Sequence, residues 1–135
     1  AVAFADLTAA VAEADFVIDV LPGGAEYAGM VSRAVFAAMK PSAVFINVGR
    51  GETVDEAALI EALRTGRIAG AGLDVVARTP LAKDSALWAM PNVLLSPHIG
   101  GYFREYEAHI MPILLENMRL FLARQGASMR NLVPH

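Results

Sequence analysis

The chain has 135 residues, with 11 basic and 14 acidic side chains and a net charge of -3. A chain of this length makes one domain that buries about two thirds of its unfolded surface, and its interspersed, mildly acidic charges give no footprint for nucleic acid. No apolar run approaches the ~20 residues of a membrane span, so a hydrophobic share of 56% belongs to a core or an interface.

Short apolar runs alternate with helix-like segments, the pattern of βαβ units and a mainly parallel sheet. Ala1–Phe4 reads as the tail of a strand, and Asp6 or Thr8 caps a short helix running to about Ala14. Phe16–Leu21 is the next strand, ended by Pro22-Gly23-Gly24. A helix is predicted over about Ala28–Met39, with Lys40 at its C-terminal end and Pro41 as the stop. Ala43–Val48 follows as an apolar, partly β-branched strand, short enough to be covered on both faces. Thr53 or Asp55 caps a helix of about Glu56–Arg64, closed by Thr65-Gly66. Ile68–Val76 is a small-residue strand and Val93–Ser96 the last one, with a loop over Ala77–Pro91 that turns around Ser85–Met90. Phe103–Ala123 is mostly helical, with Pro112 either kinking it or opening its second half. There is no repeat, low-complexity tract or internal linker. Zero cysteines exclude disulfides and thiolate metal sites and suit a reducing, cytoplasmic setting.

Two strand ends carry chemistry. Gly49 and Gly51 flank Arg50, so the backbone is free to turn and lift one guanidinium into the crevice outside the carboxyl end of a strand. A planar guanidinium fork matches a carboxylate. Ser96-Pro97-His98-Ile99-Gly100-Gly101 repeats the design with an imidazole after Val93-Leu94-Leu95. Read singly, Arg50 is as well explained as a solvated arginine, and His98 as a histidine packed at a strand end. Their joint placement at parallel strand ends favours a site.

In order along the chain stand Ala14-Asp15-Phe16 with Leu21-Pro22, Met39-Lys40-Pro41, Ile46-Asn47-Val48-Gly49-Arg50-Gly51 and Val54-Asp55-Glu56-Ala57-Ala58-Leu59. After them come Gly66-Arg67-Ile68-Ala69-Gly70-Ala71-Gly72-Leu73-Asp74-Val75, Leu87-Trp88, Pro91-Asn92-Val93 and Ser96-Pro97-His98-Ile99-Gly100-Gly101. With these segments the chain resembles the D-2-hydroxyacid dehydrogenase family, NAD(P)-linked enzymes that include glyoxylate/hydroxypyruvate reductases. The resemblance implies an α/β, parallel-sheet Rossmann-like fold, here the second half of a doubly wound dinucleotide-binding domain, plus a long C-terminal helix. Residues 1–101 would be a partial cofactor domain and 102–135 a helix and tail returning toward a substrate domain. The glycine-rich G-x-G-x-x-G turn that seats a pyrophosphate is absent. Together with a first residue other than methionine, that points to a processed protein or a piece of a longer one.

The same resemblance implies that Arg50 pairs with the carboxylate and carbonyl oxygen of a small 2-keto acid. His98 would donate the proton as hydride arrives from NAD(P)H. Asp74 takes the position that hydrogen-bonds the nicotinamide carboxamide, though an aspartate there also suits a turn. Leu21, Pro22, Val48 and Gly49 would line the cofactor face, and Gly100 and Gly101 would allow close backbone approach. His109 and His135 read as surface residues and Trp88 as an apolar anchor for its loop or for an interface. Neither nucleic acid, membrane nor metal is implied; a homodimer is. Two departures stand out. Thr79 occupies the position of the family's usual glutamate, so the imidazolium of His98 loses a Coulombic partner there. Gly23-Gly24-Ala25-Glu26 replaces a Thr-Pro-Glu-Thr-like segment, which should loosen the loop beside the nicotinamide. These departures keep a second reading open, a catalytically silent dinucleotide-sensing or scaffold protein. Finally, Phe16–Leu21 would lack its usual neighbour strand and stand as an apolar edge able to recruit a second copy.

Overall fold

The structure, a computed structural model, describes residues 7–132. The strand tail at Ala1–Phe4, the Asp6 cap and His135 lie outside the described residues. The described residues fall into two compact units, one ending at Gly100 and the other starting at Gly101.

In the first unit, α1 (Leu7–Ala12), β1 (Phe16–Asp19), α2 (Arg33–Ala38), β2 (Val44–Asn47), α3 (Glu56–Arg64), β3 (Gly70–Leu73) and β4 (Val93–Leu95) follow in that order. The four strands form one parallel sheet in the order β1-β2-β3-β4. Chain order is therefore spatial order, and among the described strands β1 stands at one edge. The carboxyl ends of all four strands point the same way, which places the segments after Asp19, Asn47, Leu73 and Leu95 side by side.

Alternation sorts the sheet residues onto two faces. Val17, Phe45, Ala71, Leu73, Val93 and Leu95 turn toward the helices and join the core with Val11, Val35, Phe36, Leu59 and Leu63. Phe36 meets Phe45 edge-on, with ring centroids 5.3 Å apart and planes at 89°. The other face carries Phe16, Ile18, Ile46, Gly72 and Leu94. Phe16 is 64% and Leu94 72% exposed. The sequence predicts a strand covered on both faces at Val44–Val48. Here only the helix side is fully packed, and the apolar run reflects two faces of unequal burial.

Of these helices, α3 has its start fixed by a side chain that captures a backbone amide, whereas α2 has no side-chain cap. Asp55 accepts the Ala58 amide at 3.0 Å and starts α3, and Gly66, with a φ of +67°, ends it. Of the two predicted caps Asp55 serves; Thr53 is turned to another use. Thr8 lies inside α1 and caps nothing. The predicted helix from Ala28 starts only at Arg33, because the preceding residues bond across to another loop. Gly29 N donates to Glu52 O at 2.9 Å, Val31 N to Thr53 O at 2.9 Å, and Asp55 N to Val31 O at 3.0 Å. β1 is shorter than Phe16–Leu21 because the Asp19 carboxylate accepts the Leu21 amide at 2.9 Å and turns the chain. β3 likewise occupies only Gly70–Leu73 of the predicted Ile68–Val76, since Asp74 leaves the ladder to hold another loop.

The loop after β3 contains a 3₁₀ turn at Ala86–Ala89, opened by Ser85. Its buried anchor is Leu87, not Trp88, which is 59% exposed and donates its indole N–H to Ala82 O at 2.9 Å. Among the described residues the second unit holds one α-helix, α4 (Tyr106–Leu122), which continues through Pro112 and has no buried residue, and a 3₁₀ turn at Gly126–Ser128. Asn117 clasps Arg130 through two hydrogen bonds of 2.9 Å. His109 is exposed, as expected. Among the described residues no helix is long and apolar enough to cross a membrane.

Candidate active site

The loop after β2 is built on a buried polar frame. Asn47, almost wholly buried at the end of the strand, accepts the Gly49 amide at 2.9 Å and donates to Arg50 O at 3.0 Å. Arg50 itself is extended, with φ -139° and ψ 141°. Neither flanking glycine has a positive φ. Their role is close approach, not the sharp turn the sequence suggests. A Cβ at Gly49 would lie 2.6 Å from Leu21 O, and one at Gly51 would lie 1.9 Å from Val76 O. The Arg50 backbone is thus wedged between the ends of β1 and β3. Its Nη1 donates back to Gly49 O at 2.8 Å, which directs the fork along the loop.

The loop after β4 is held by one carboxylate. Asp74 Oδ1 accepts Ser96 Oγ and, at 2.9 Å, the Ile99 amide. Its Oδ2 accepts the Gly100 amide at 2.8 Å. These two successive amides follow His98, whose φ of +58° lies in the left-handed region. Backbone amides arranged in this way form a small anion-binding nest, and Asp74 fills it from within the chain. The Ser96 hydroxyl bond is the main reason that the Asp74 carboxyl is held below its ordinary value. Burial opposes the shift, and the Gly100 and Ile99 amides and the charge of His98 add to it.

The two loops share a cavity. Arg50, Thr79 and His98 line a space of about 310 Å³ together with Gly23, Glu52 and Val76. His98 and Thr79 also border an adjoining, more apolar space of about 260 Å³, walled by Asp74, Leu81, Trp88 and Leu95. Thr79, Arg50 and His98 therefore come together as the sequence places them. Gly100 makes a close approach, since a Cβ there would lie 2.8 Å from Asp74 Oδ2, whereas one at Gly101 would meet nothing within 4 Å.

Sequence reasoning missed Glu52, a carboxylate on the wall of the Arg50–His98 cavity. Its Oε1 accepts the Gly24 amide at 2.7 Å, and its carbonyl oxygen accepts Gly29 N. Gly24 has a φ of +138°, a conformation side-chain-bearing residues avoid. The Gly23-Gly24 segment, expected to be loose, is thereby latched onto the Arg50 loop. The only signal in the sequence is Glu52 standing two residues after Arg50. Also missed were Asp19 and Thr53, which meet beneath the same loop although 34 positions separate them.

The sequence profile of the family described as "D-isomer specific 2-hydroxyacid dehydrogenase, NAD binding domain" matches residues 1–100. The chain belongs to this dehydrogenase family. Among its curated relatives in the family, a probable 2-ketogluconate reductase of Dictyostelium discoideum is 48% identical over 128 residues, 95% of this chain and 38% of that protein. Glyoxylate/hydroxypyruvate reductase B of Klebsiella pneumoniae is 47% identical over 115 residues, 85% of this chain and 36% of its own length. A D-isomer specific 2-hydroxyacid dehydrogenase from Xanthobacter autotrophicus Py2, solved with NADPH and MES, superposes with a TM-score of 0.85 at 40% identity. That match covers 96% of this chain and 52% of the other. The present chain spans less than half the length of the curated dehydrogenase relatives named here.

The residues present fit one end of a nicotinamide dinucleotide. One acceptor position on Asp74 Oδ2 is left over for an amide N–H, and the half-exposed Val48 offers an apolar wall at the next strand end. The pyrophosphate end finds no glycine-rich turn in this sequence. No group of three or more metal-ligating side chains occurs among the described residues.

Proposed function

We propose that the chain is part of an NAD(P)-dependent oxidoreductase that reduces a small 2-keto acid to the D-2-hydroxy acid. The observation that carries this reading is the single cavity bordered by both Arg50 and His98. When bound, the cofactor supplies the hydride. Arg50 holds the substrate carboxylate by charge-assisted hydrogen bonds and orients the carbonyl oxygen. His98, on the same cavity wall, gives a ring proton to the oxygen as negative charge develops there, and takes it back in the reverse direction. Asp74 keeps its negative charge across the neutral range and receives the nicotinamide carboxamide, while Leu21, Pro22, Val48 and Gly49 face the ring. Gly100 and Gly101 leave room for the cofactor. Residues 1–101 act as part of the cofactor domain, and 102–135 lead toward the substrate domain.

NADH and then NADPH, titrated into the purified chain and followed by nicotinamide fluorescence, test the reading. Saturable enhancement with either cofactor is expected, and its loss in Asp74→Ala would place the ring at the β3 end. Among the structural relatives, those solved with NADPH or NADP make the phosphorylated form the one to examine closely. The exposed edge of β1 supports a homodimer, measurable by solution scattering as twice the monomer mass. The setting is cytoplasmic, in keeping with the absence of cysteine.

A neutral Thr79 beside His98 favours a second reading, a dinucleotide-sensing or scaffold protein without turnover. Thr79→Glu separates the two. Under the enzymatic reading it raises turnover of glyoxylate or hydroxypyruvate by about tenfold or more, at most the roughly hundredfold at the low end of general acid–base catalysis. Unchanged turnover at every pH, with cofactor bound, would favour the scaffold.

A further inference from the structure

Arg50 presents its side chain at the surface, yet the peptide that carries it is fastened inside the core. Asp19 ends β1 and Thr53 sits in the 3₁₀ turn Gly51–Thr53; they are 5% and 0% exposed. Thr53 Oγ1 bonds Asp19 Oδ2 and lies 2.6 Å from Arg50 O. The other Asp19 oxygen accepts the Leu21 amide at 2.9 Å. The hydroxyl has one proton, shared between these two acceptors as a three-centre bond, and it thereby joins a buried carboxylate at the end of β1 to the carbonyl of the arginine that leaves β2.

An apolar side chain at either position would be easier to bury. A carboxylate taken out of water is costly unless its oxygens are hydrogen-bonded, and here both are. Such a network specifies geometry more than it adds stability, and the geometry it specifies is that of the Arg50 peptide. The Asn47 amide reaches the same carbonyl at 3.0 Å from the other side. With two side chains on its carbonyl, the Arg50 peptide is held in place, and with it the point from which the side chain sets out toward the cavity.

We propose that Asp19 and Thr53 are positioning residues, which set the Arg50 peptide and through it the aim of the guanidinium at an anionic substrate. The proposal rests on the reading of Arg50 as carboxylate anchor. Neither residue lines the cavity; Thr53 acts on it through the Arg50 carbonyl, and Asp19 through Thr53 and the Leu21 amide.

The test uses the 135-residue chain labelled with nitrogen-15, and oxalate as an unreactive stand-in for the carboxylate and carbonyl oxygens of a keto acid. The Arg50 Nε–H signal, assigned by its loss in Arg50→Lys, reports anion binding. The Gly49 and Gly51 amide signals report the loop. Thr53→Val keeps the shape and removes the hydroxyl; Thr53→Ser keeps the hydroxyl. Oxalate is expected to bind Thr53→Val about tenfold more weakly, the scale of one hydrogen bond. Both glycine signals should move in that variant, while Thr53→Ser stays close to the parent. A Thr53→Val chain with unmoved glycine signals and parental oxalate affinity overturns the proposal. If oxalate leaves the parent's Arg50 signal unchanged, the carboxylate-anchor reading fails, and the glycine signals in Thr53→Val against Thr53→Ser still decide whether Thr53 sets the loop. Should Thr53→Val fail to fold, Thr53→Ala removes the same hydroxyl, leaves room for a water to reach the Asp19 carboxylate, and carries the same comparison.

Discussion

The loops that present Arg50 and His98 lie at neighbouring ends of one sheet and are held in opposite ways. The Arg50 loop is fixed from below by buried, uncharged or shared hydrogen bonds from Asn47 and Thr53, and from the sides by glycines in contact with neighbouring backbone. Its own residue adopts an ordinary extended conformation. The His98 loop has no such footing. It carries a left-handed histidine on the surface, held by the Asp74 carboxylate through the Ile99 and Gly100 amides. The footing that packing and buried hydrogen bonds give the Arg50 loop is given to the His98 loop by one ionised carboxylate, Asp74. Under the proposed function, the group that would bind is set by shape, and the group that would transfer a proton is set by charge.

That contrast breaks most severely at Gly51. Gly51→Ala should cost about 3 kcal/mol or more, because the added methyl meets the Val76 carbonyl and only backbone can yield. A urea midpoint close to that of the parent would show that the wedge is not as tight as the distances require. Asn47→Leu comes next, at about 2 kcal/mol, since the Gly49 amide loses its acceptor inside the core. The loss should not change with pH, as no titrating group is removed.

Asp74→Asn should cost less than Asn47→Leu and should depend on pH. The folded-state value of Asp74 is lowered, so its ionised form adds stability that is complete above the unfolded chain's carboxylate value. That stability fades as the pH falls through the folded value. The gap between parent and variant should therefore be widest at neutral pH and shrink in acid. A gap that stays constant would mean the negative charge is not what holds the loop. The smallest effect, with the opposite sign, belongs to His98→Gly. Glycine accepts a positive φ freely, so stability should rise by up to about 1 kcal/mol while proton donation disappears.

Much of this arrangement is legible in the sequence. Glu56–Arg64 is bounded by a capping aspartate and a glycine, and local chemistry of that kind reads directly. Arg50 and His98 could be assigned to one crevice because parallel strands deliver their ends together, whereas Thr79 stands out only through the family resemblance. What escapes is long-range. The start of α2 depends on Val31 pairing with a loop more than 20 residues away, which propensity at Ala28–Ser32 cannot reveal. The glycines beside Arg50 read as turn formers, since nothing local says that Val76 passes 1.9 Å from where a methyl would be. Asp19 reads as a charged interruption in an apolar strand until Thr53 is placed next to it. The open face of the sheet is invisible too, because Phe16, Ile18 and Leu94 look like any core residues.

The sheet order β1-β2-β3-β4 has a kinetic consequence. Phe16 pairs with Val44, Val44 with Gly70 and Ala71 with Val93, so no strand waits for a distant partner. Loop closure costs little extra for stretches of this length, and each strand–helix unit can dock on the one made just before it. These strands can thus assemble in the order of their synthesis, with β4 and the loop bearing His98 the last to join the sheet.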